Sequence, residues 1–235
     1  MRKTNKVASI CHCASEARST GDVLRFLLSD DSLEVMDGEP ESQRDLISSK
    51  TLDDLLQDGT GSEDEKMTPK QQTLLALDVA SSIVQLRQTC WFRHPFSSKI
   101  VKFLIQKEGQ GTTAISTPFV EQVADPGQED FPGPDPKAAL LELAILLLEI
   151  WHHKTLESWC TKSGIAKVDS PETRQRAAIR WLEMTSERLP LHHLTAIEQC
   201  LALCAGRLRF WDDAEFLKLY CENIIKPLQE SCKAW

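Results

Sequence analysis

The segment Lys137–Trp151, KAALLELAILLLEIW, constrains the fold of this chain more than any other. Its apolar residues leave almost no polar face, which predicts a helix that is buried nearly all round. Glu142 and Glu149 are the exceptions, and their spacing of seven residues places both on one stripe of a helix. The segment is too short and too charged to cross a bilayer, which takes roughly 18 or more apolar residues. A sizeable domain must therefore surround it.

Composition narrows the class of protein. The chain has 235 residues, 41% of them hydrophobic, which suits one large domain or two small ones with a buried core. Its formal net charge of −8 argues against general affinity for nucleic acids or anionic membranes. The eight cysteines are scattered through apolar stretches, and no signal peptide is recognisable before them. We therefore expect reduced thiols and a cytoplasmic protein.

Most of the remaining chain has the apolar spacing of amphipathic helices. Four further helices are predicted, from Lys70 to about Gln88, from Pro171 to about Met184, from about Leu194 to Leu208 and from about Asp213 to Ile225. Thr68 and Ser170 are the expected N-caps of the first two, because a proline follows each of them. Pro227 is expected to end the last helix, since proline lacks the N–H that a helix interior needs.

Other stretches are predicted to be extended or irregular. Ile100 to Ile105 is compatible with a β-strand, and Gly109 through Pro136 holds enough turn residues to predict a long loop. A turn containing Leu156 and Trp159 is expected after the central segment. Met1 to about Pro69 is polar with short apolar pieces, which predicts a small β part there. The expected fold class is α+β, mainly α.

The order and spacing of these elements resemble the C-lobe of a protein kinase. Leu74–Trp91 resembles the kinase helix that precedes the catalytic loop, and Ile100–Ile105 resembles the strand that follows that loop. Lys137–Trp151 resembles the central helix of the lobe. Leu194–Leu203 resembles a helix that carries a Cys-Leu pair, and Phe216–Leu228 resembles the terminal helix. The central pattern Leu-Glu-Leu-Ala-Ile-Leu-Leu-Leu-Glu-Ile is similar to the usual kinase form Tyr-Ser-Leu-Gly-Val-Ile-Leu-Leu-Glu-Leu. The resemblance implies a degenerate kinase-like fold with a helical C-lobe.

A closer resemblance is carried by the segments Thr-Cys-Trp-Phe, Leu-Leu-Glu-Ile-Trp, Glu-Gln-Cys-Leu and Ile-Ile-Lys-Pro-Leu. They are similar to those of a fungal family, domain of unknown function 7580, whose members often follow a HeLo-like or prion-inhibition domain. The resemblance implies a truncated or stand-alone member of that family. It divides the chain into a reduced N-lobe-like segment with acidic loops, residues 1–66, and a helical C-lobe-like domain, residues 67–235.

The residues that kinase chemistry requires are missing from this sequence. A kinase needs an Asp that orients the substrate hydroxyl, an Asn and an Asp that hold Mg²⁺, and a Gly-rich lid. No carboxylate occurs between Val79 and Lys107, so alignment places Ser97 or Lys99 where the catalytic Asp belongs. Asp-Phe-Gly is absent, and Ala139 replaces the central-helix Asp. We expect no phosphoryl transfer, no cofactor and no catalytic residue.

Three further sets of residues allow either a chemical or a structural interpretation. Cys200 and Cys204, one helical turn apart, could bind zinc with histidines such as His192 and His193, or could lie buried in the core. His152-His153 could be catalytic, or could interact with the dipole at a helix end. Cys90 and His94 could form a nucleophile and base, but no carboxylate lies nearby to orient them. The structural interpretation is favoured in each case, and no metal site is expected.

Charge is distributed unevenly along the chain. The basic stretch contains Arg87, Arg93, Lys99, Lys102 and Lys107, whereas Asp30 to Glu65 is strongly acidic. The two stretches could face each other, face a partner, or be separate solvated surfaces. We take the five basic residues as the candidate interaction surface.

The sequence therefore favours a non-catalytic pseudokinase module that serves as an interaction or regulatory scaffold. Its expected partner is a protein, with no nucleic acid and no membrane span. The alternative is a pseudo-enzyme that binds a nucleotide or small ligand without phosphoryl transfer. Stabilisation by nucleotide would separate the two, because a ligand that binds only the folded state raises its melting temperature.

Overall fold

A computed structural model of the chain describes the backbone of residues 4–6, 13, 25–29, 32–36, 46–57, 67–89, 92–108, 112–115, 118–120, 133–165, 168–207 and 210–233. Side chains are described for residues 13, 49–57, 67–89, 92–103, 118–120, 133–165, 168–207 and 210–233. The chain forms two compact units, one of residues 1–47 and 106–114 and one of residues 48–105 and 115–235. The functional division at residues 66 and 67 remains a prediction, since a compact unit is not the same thing as a kinase lobe.

The first unit contains a three-stranded antiparallel sheet. Its strands are β1 (Thr4–Lys6), β2 (Arg25–Ser29) and β3 (Ser32–Met36), in the order β1-β3-β2. Ser29 at the end of β2 pairs with Ser32 at the start of β3, and Thr4 of β1 pairs with Met36 at the other end of β3. The small N-terminal β part expected from the sequence is confirmed.

A second sheet contains β4 (Leu46–Thr51), β5 (Val101–Glu108), β6 (Thr112–Ile115) and β7 (Phe119–Val120). The order is β4-β5-β6, and β7 pairs antiparallel with β5, Val101 opposite Val120. The predicted strand at Ile100–Ile105 is confirmed. The prediction of a continuous loop over Gly109–Pro136 is wrong for β6 and β7, because β5 offers hydrogen-bonding partners that turn-rich composition does not reveal. Residues 121–132 of that stretch lie outside the described residues.

Eight α-helices are described. They are α1 (Leu52–Gln57), α2 (Pro69–Leu86), α3 (Pro136–His152), α4 (Leu156–Lys162), α5 (Pro171–Thr185), α6 (Leu191–Ala205), α7 (Ala214–Tyr220) and α8 (Lys226–Lys233), with a 3₁₀ turn at Ser186–Arg188 and a π-helical turn at Cys221–Ile225. The mainly helical α+β class is confirmed. In the described part of the chain, no helix is both long and apolar enough to span a membrane.

Helix α3 lies at the centre of the second unit, as predicted. The run from Leu143 to Ile150 is buried at every position, and Leu143, Leu146 and Leu148 are fully inaccessible. Helices α2, α5 and α6 pack against α3 and cover it from several sides. Burial of each leucine contributes about 1.5–3 kcal/mol, so the uninterrupted apolar run makes this arrangement strongly favourable.

The predicted N-caps are both present. The side chain of Thr68 accepts the N–H of Gln71 at 3.3 Å, and the side chain of Gln71 accepts the N–H of Thr68 at 2.8 Å. Ser170 and Thr173 form the same reciprocal pair, at 3.3 and 3.0 Å. Each pair satisfies N–H groups that have no partner within the helix, which fixes where α2 and α5 begin.

Two local predictions are wrong. The segment after the central helix, predicted as a turn, forms helix α4, because the Thr155 side chain accepts the N–H of Ser158 at 3.2 Å and caps it. Pro227 does not end the last helix, which continues as α8 to Lys233. A π-helical turn precedes it, in which the N–H of Lys226 bonds to the carbonyl of Cys221, and this wider turn accommodates the proline.

A candidate binding cleft

A cleft of about 450 Å³ lies within the second unit. The loop Pro95–Lys99 forms one wall, α3 forms the floor, and the beginnings of α4 and α5 close the other side. Ala138, Leu141 and Ile145 of α3 supply an apolar floor, since their spacing of three and four residues places them on one helix face. The stripe that carries Glu142 and Glu149 borders the same floor.

Buried aromatic rings hold the loop against the helices. Phe92 and Phe96 are almost fully buried and meet edge to face, with ring centroids 5.0 Å apart. Phe92 also meets Trp211, with centroids 5.8 Å apart. The carbonyl of Ser98 accepts the N–H of Asp53 at 2.9 Å, which ties the loop to α1. The loop therefore presents Ser97, Ser98 and Lys99 to the cleft from a packed base.

Glu149 is the buried carboxyl group of the cleft. Its side chain is 3% exposed, and Oε1 accepts the N–H of Leu156 at 2.8 Å, at the first residue of α4. Burial raises the pKa of Glu149 to about 7, although hydrogen bonds from Leu156 and the Ser98 side chain lower it in part. The group is thus close to half-protonated at neutral pH. Carboxyl groups whose pKa is shifted in this way are frequent at functional sites, and also occur in structural ion-pair networks.

Arg174 of α5 joins the two carboxylates at the rim. It donates to Glu142 of α3 through Nε and Nη2, both at 2.8 Å, and to Glu157 of α4 through Nη1 at 2.9 Å. Burial alone would lower the pKa of Arg174, but its bonds to Glu142 and Glu157 raise it above its ordinary value. Both carboxyl groups of the central helix therefore have a donor, since Glu142 meets the Arg174 cation and Glu149 meets the N–H of Leu156.

The five residues of the candidate interaction surface have different surroundings. Of the four whose side chains are described, only Lys99 lines the cleft, where it is exposed. Arg87 is half-buried and donates to the carbonyls of Val84 and Trp211, the latter at 3.2 Å. Arg93 and Lys102 are half-buried, and the side chain of Lys107 lies outside the described residues. Their role in binding a partner remains a prediction.

Most of the acidic stretch Asp30–Glu65 lies outside the described side chains, but α1 belongs to it. The Asp54 carboxylate accepts from the N–H and the hydroxyl of Thr51 at 2.9 and 2.6 Å, and these bonds lower its pKa. Burial raises the pKa of Asp53, and the positive charge of Lys99 offsets part of that rise. Lys99 of the basic stretch is thus close enough to Asp53 of the acidic stretch for its charge to influence that carboxyl.

The structural interpretation of the helical cysteines is confirmed. Cys200 is fully buried and Cys204 is 9% exposed, both in the core, and burial raises the pKa of each thiol. Within the described residues, no group of three or more His, Cys, Asp or Glu is arranged to hold a metal ion. His94 is exposed, whereas Cys90 lies outside the described residues.

His152, at the end of α3, and His193, in α6, each pack against an aromatic ring. His152 stacks on Trp181 with centroids 5.4 Å apart, and His193 of α6 meets Trp151 at 4.9 Å. Burial lowers the pKa of His152 and of His193 to about 4 in each case, so both rings are neutral at pH 7. This places them in the packing of α3 rather than in the cleft.

Sequence reasoning missed Ser98, Glu157 and Arg174 as residues of the cleft. Arg174 lies 32 residues from Glu142, and its position in the first turn of a capped helix gives no indication of a partner so far along the chain. The only available signal was indirect, because two carboxylates on a buried helix require donors from elsewhere.

Comparison with protein families gives one match that covers the whole chain. The family described as Domain of unknown function (DUF7580) matches residues 1–235. A search of curated proteins gives no match. Because the family match extends over every residue, the chain belongs to the DUF7580 family.

Proposed function

We propose that this chain is a non-catalytic, kinase-like module of a fungal, cytoplasmic protein, and that it acts as an interaction or regulatory scaffold. The order of its elements supports the kinase-like part of the proposal. Helix α2, the loop 92–100, strand β5 and the buried helix α3 follow one another as in the kinase C-lobe that the sequence resembles. Helices α4 to α8 come after them.

The observation that carries the non-catalytic part is the chemistry of the loop beside the cleft. A kinase loop at this place supplies an Asp for the substrate hydroxyl and an Asn for Mg²⁺. Here the loop brings Ser97, Ser98 and Lys99 to the cleft, and residues 92–100 contain no carboxylate. A lysine at this point would repel a metal ion.

Three of the four carboxyl groups that line the cleft come from helices and have partners within the chain. Glu142 and Glu157 are paired with Arg174, and Glu149 is buried and close to half-protonated at neutral pH. Metal ligands must be deprotonated, and Glu142 and Glu149 are bound to donors within the fold, so these two groups are poorly suited to hold Mg²⁺. The proposal therefore assigns binding rather than phosphoryl transfer to this part of the chain.

A protein partner is favoured over nucleic acid by the formal net charge of −8. The cytoplasmic setting is supported by the cysteines, since Cys13, Cys160, Cys200, Cys204, Cys221 and Cys232 are all free thiols. Secreted proteins of this cysteine content usually form disulfides.

One observation favours the alternative function, a pseudo-enzyme that binds a nucleotide or small ligand. The cleft of about 450 Å³ has an apolar floor and a few polar groups, which is typical of small-molecule sites. Its charges oppose a nucleotide, however, because Glu142, Glu157 and Asp169 line it and would repel phosphates.

The test is a pair of measurements on the purified chain. Melting temperature is recorded with ATP or ADP, with and without Mg²⁺ or Mn²⁺, and transfer of labelled phosphate to generic acceptors is assayed beside an active kinase. We expect neither stabilisation nor transfer. Stabilisation by nucleotide without transfer would favour the alternative, and transfer that persists in Lys99→Ala would overturn the non-catalytic proposal.

A further inference from the structure

Resting on the scaffold function, we propose that the cleft receives a lysine or arginine side chain from an extended basic segment of a partner protein. Three features of the cleft lead to this occupant, namely its shape, its charge and an internal example of the same contact.

The shape of the cleft suits a long side chain with an apolar stem. Leu141 and Ile145 form its floor and are themselves 4% and 1% exposed, so the floor is part of the core. Pro95 on the loop and Pro171 at the start of α5 add further apolar lining. Lysine and arginine lay their methylene stems along such surfaces and keep the charged group at the polar end.

The charge of the cleft suits a cation. Its lining contains the carboxyl groups of Glu142, Glu149, Glu157 and Asp169, against the cations Lys99 and Arg174. Asp53 lies near enough to Lys99 and Glu157 for both to influence its pKa, which offsets the charge of Lys99 further. An anionic ligand such as a phosphate would meet more negative than positive groups here.

The chain itself provides an example of the contact. Arg174 enters the rim from α5 and binds Glu142 and Glu157 at 2.8–2.9 Å, so a guanidinium fits between carboxylates at this site. The Glu157 side chain is 49% exposed, and a carboxylate has about four lone-pair positions, which leaves it able to accept from a second cation. Glu142 is 19% exposed and is already bound in bidentate fashion.

The experiment uses a fluorescein-labelled heptapeptide in which leucine and lysine alternate, with the full chain as the receptor. Two control peptides replace each lysine by glutamate or by the uncharged norleucine. Fluorescence anisotropy is measured at low salt and again at high salt, where interactions between exposed charges are screened. We expect saturable binding of the lysine peptide alone, weakened at high salt.

The double variant Glu157→Gln with Asp169→Asn locates the site. It should weaken binding about ten-fold, because two carboxylates near the bound cation are neutralised. The matched control is Glu198→Gln, since Glu198 is an exposed carboxylate of α6 that does not line the cleft. The affinity of this control variant for the lysine peptide should equal that of the unaltered chain. Melting temperatures of both variants show whether the fold is intact.

Equal binding of the glutamate or norleucine peptide, absence of saturable binding, or equal affinity of the double variant would overturn the proposal for the cleft. None of these results affects the scaffold function, which fails separately if the chain transfers phosphate or is stabilised by nucleotide.

Discussion

Arg174 donates two parallel hydrogen bonds to the carboxylate of Glu142, each at 2.8 Å, across 32 residues of sequence. The pair joins the first turn of α5 to the buried helix α3, and both side chains are about one-fifth exposed. A bidentate pair of this kind is directional as well as charged, so it fixes the position of α5 relative to α3. The opening of the cleft depends on that position.

Arg174→Met should lower the free energy of unfolding by about 2 kcal/mol, because it leaves Glu142 partly buried without its cation. The measurement is urea denaturation at pH 7.5. Lys218→Ala is the matched control, since Lys218 forms an exposed ion pair with Glu222 at 4.0 Å. This substitution should lower the free energy of unfolding by less than about 0.5 kcal/mol. Equal losses in the two variants would contradict the role of the buried pair.

Glu149 should make stability depend on pH with a definite sign. Its pKa of about 7 in the folded chain lies above the ordinary 4.5, so the folded state binds more protons than the unfolded state between those values. The contribution of Glu149 to the free energy of unfolding is fully present below about pH 4.5 and is lost as the pH rises through 7. The loss amounts to at most about 3 kcal/mol.

Glu149→Gln should remove that loss, since the amide can still accept from Leu156 and donate to Ser98 without ionising. The urea concentration at the midpoint of unfolding is measured at pH 5.5 and at pH 8. The difference between these two midpoints should be smaller in the variant than in the unaltered chain. Glu198→Gln serves as the exposed control. A variant with the same pH dependence as the unaltered chain would argue that Glu149 is ionised throughout.

His193 should change the pH dependence of stability in the direction opposite to that of Glu149. It is 1% exposed, and neither ring nitrogen has a hydrogen-bond partner among the described residues. Its pKa of about 4 lies below the ordinary 6.5, so the unfolded state binds more protons between these values. Stability therefore falls as pH drops from 6.5 towards 4, by up to about 3 kcal/mol.

His193→Leu should reduce this loss and be neutral or stabilising at pH 7, because it removes an unpartnered polar ring from the core. The exposed neighbour His192 gives the matched control, His192→Leu. The melting temperatures of the two variants are compared at pH 5 and at pH 7.5. An unchanged acid sensitivity in His193→Leu would show that the ring is already hydrated or paired in solution.

Thiol reactivity should separate the core cysteines from the surface. Cys221 is exposed, whereas Cys200 is fully buried and its pKa is raised by burial. Brief treatment with a maleimide at pH 7.5, read by peptide mass spectrometry, should modify Cys221 and leave Cys200 intact until urea is added. The variant Cys221→Ser controls for peptide assignment. Rapid labelling of Cys200 in the native chain would place it outside the core.

The core helix and the N-caps could be predicted because their causes are local. The apolar run of Lys137–Trp151 has few alternatives to burial, and Thr68 and Ser170 cap helices through residues only three positions away. The same reasoning correctly placed Cys200 in the core, since it lies on the apolar stripe of α6.

Predictions failed where a contact or a backbone geometry that apolar spacing does not show changed the local preference. The strand Thr112–Ile115 depends on β5, and α4 begins where Glu149 accepts the N–H of Leu156. At Pro227, a π-helical turn removes the conflict that a proline creates in a regular helix. In each case the sequence shows the residue but not the group it meets.

The sequence by itself determined the helical class, the buried central helix and the absence of kinase residues, because periodicity, capping and residue identity are properties of short segments. Only the tertiary structure decided that Glu142 binds Arg174, that Glu149 is buried beside Ser98, and that Lys99 is the one residue of the candidate interaction surface, among the four with described side chains, that reaches the cleft. The first two contacts join residues 32 and 51 positions apart. Their geometry depends on how α3, α5 and the loop pack together, which no local pattern encodes.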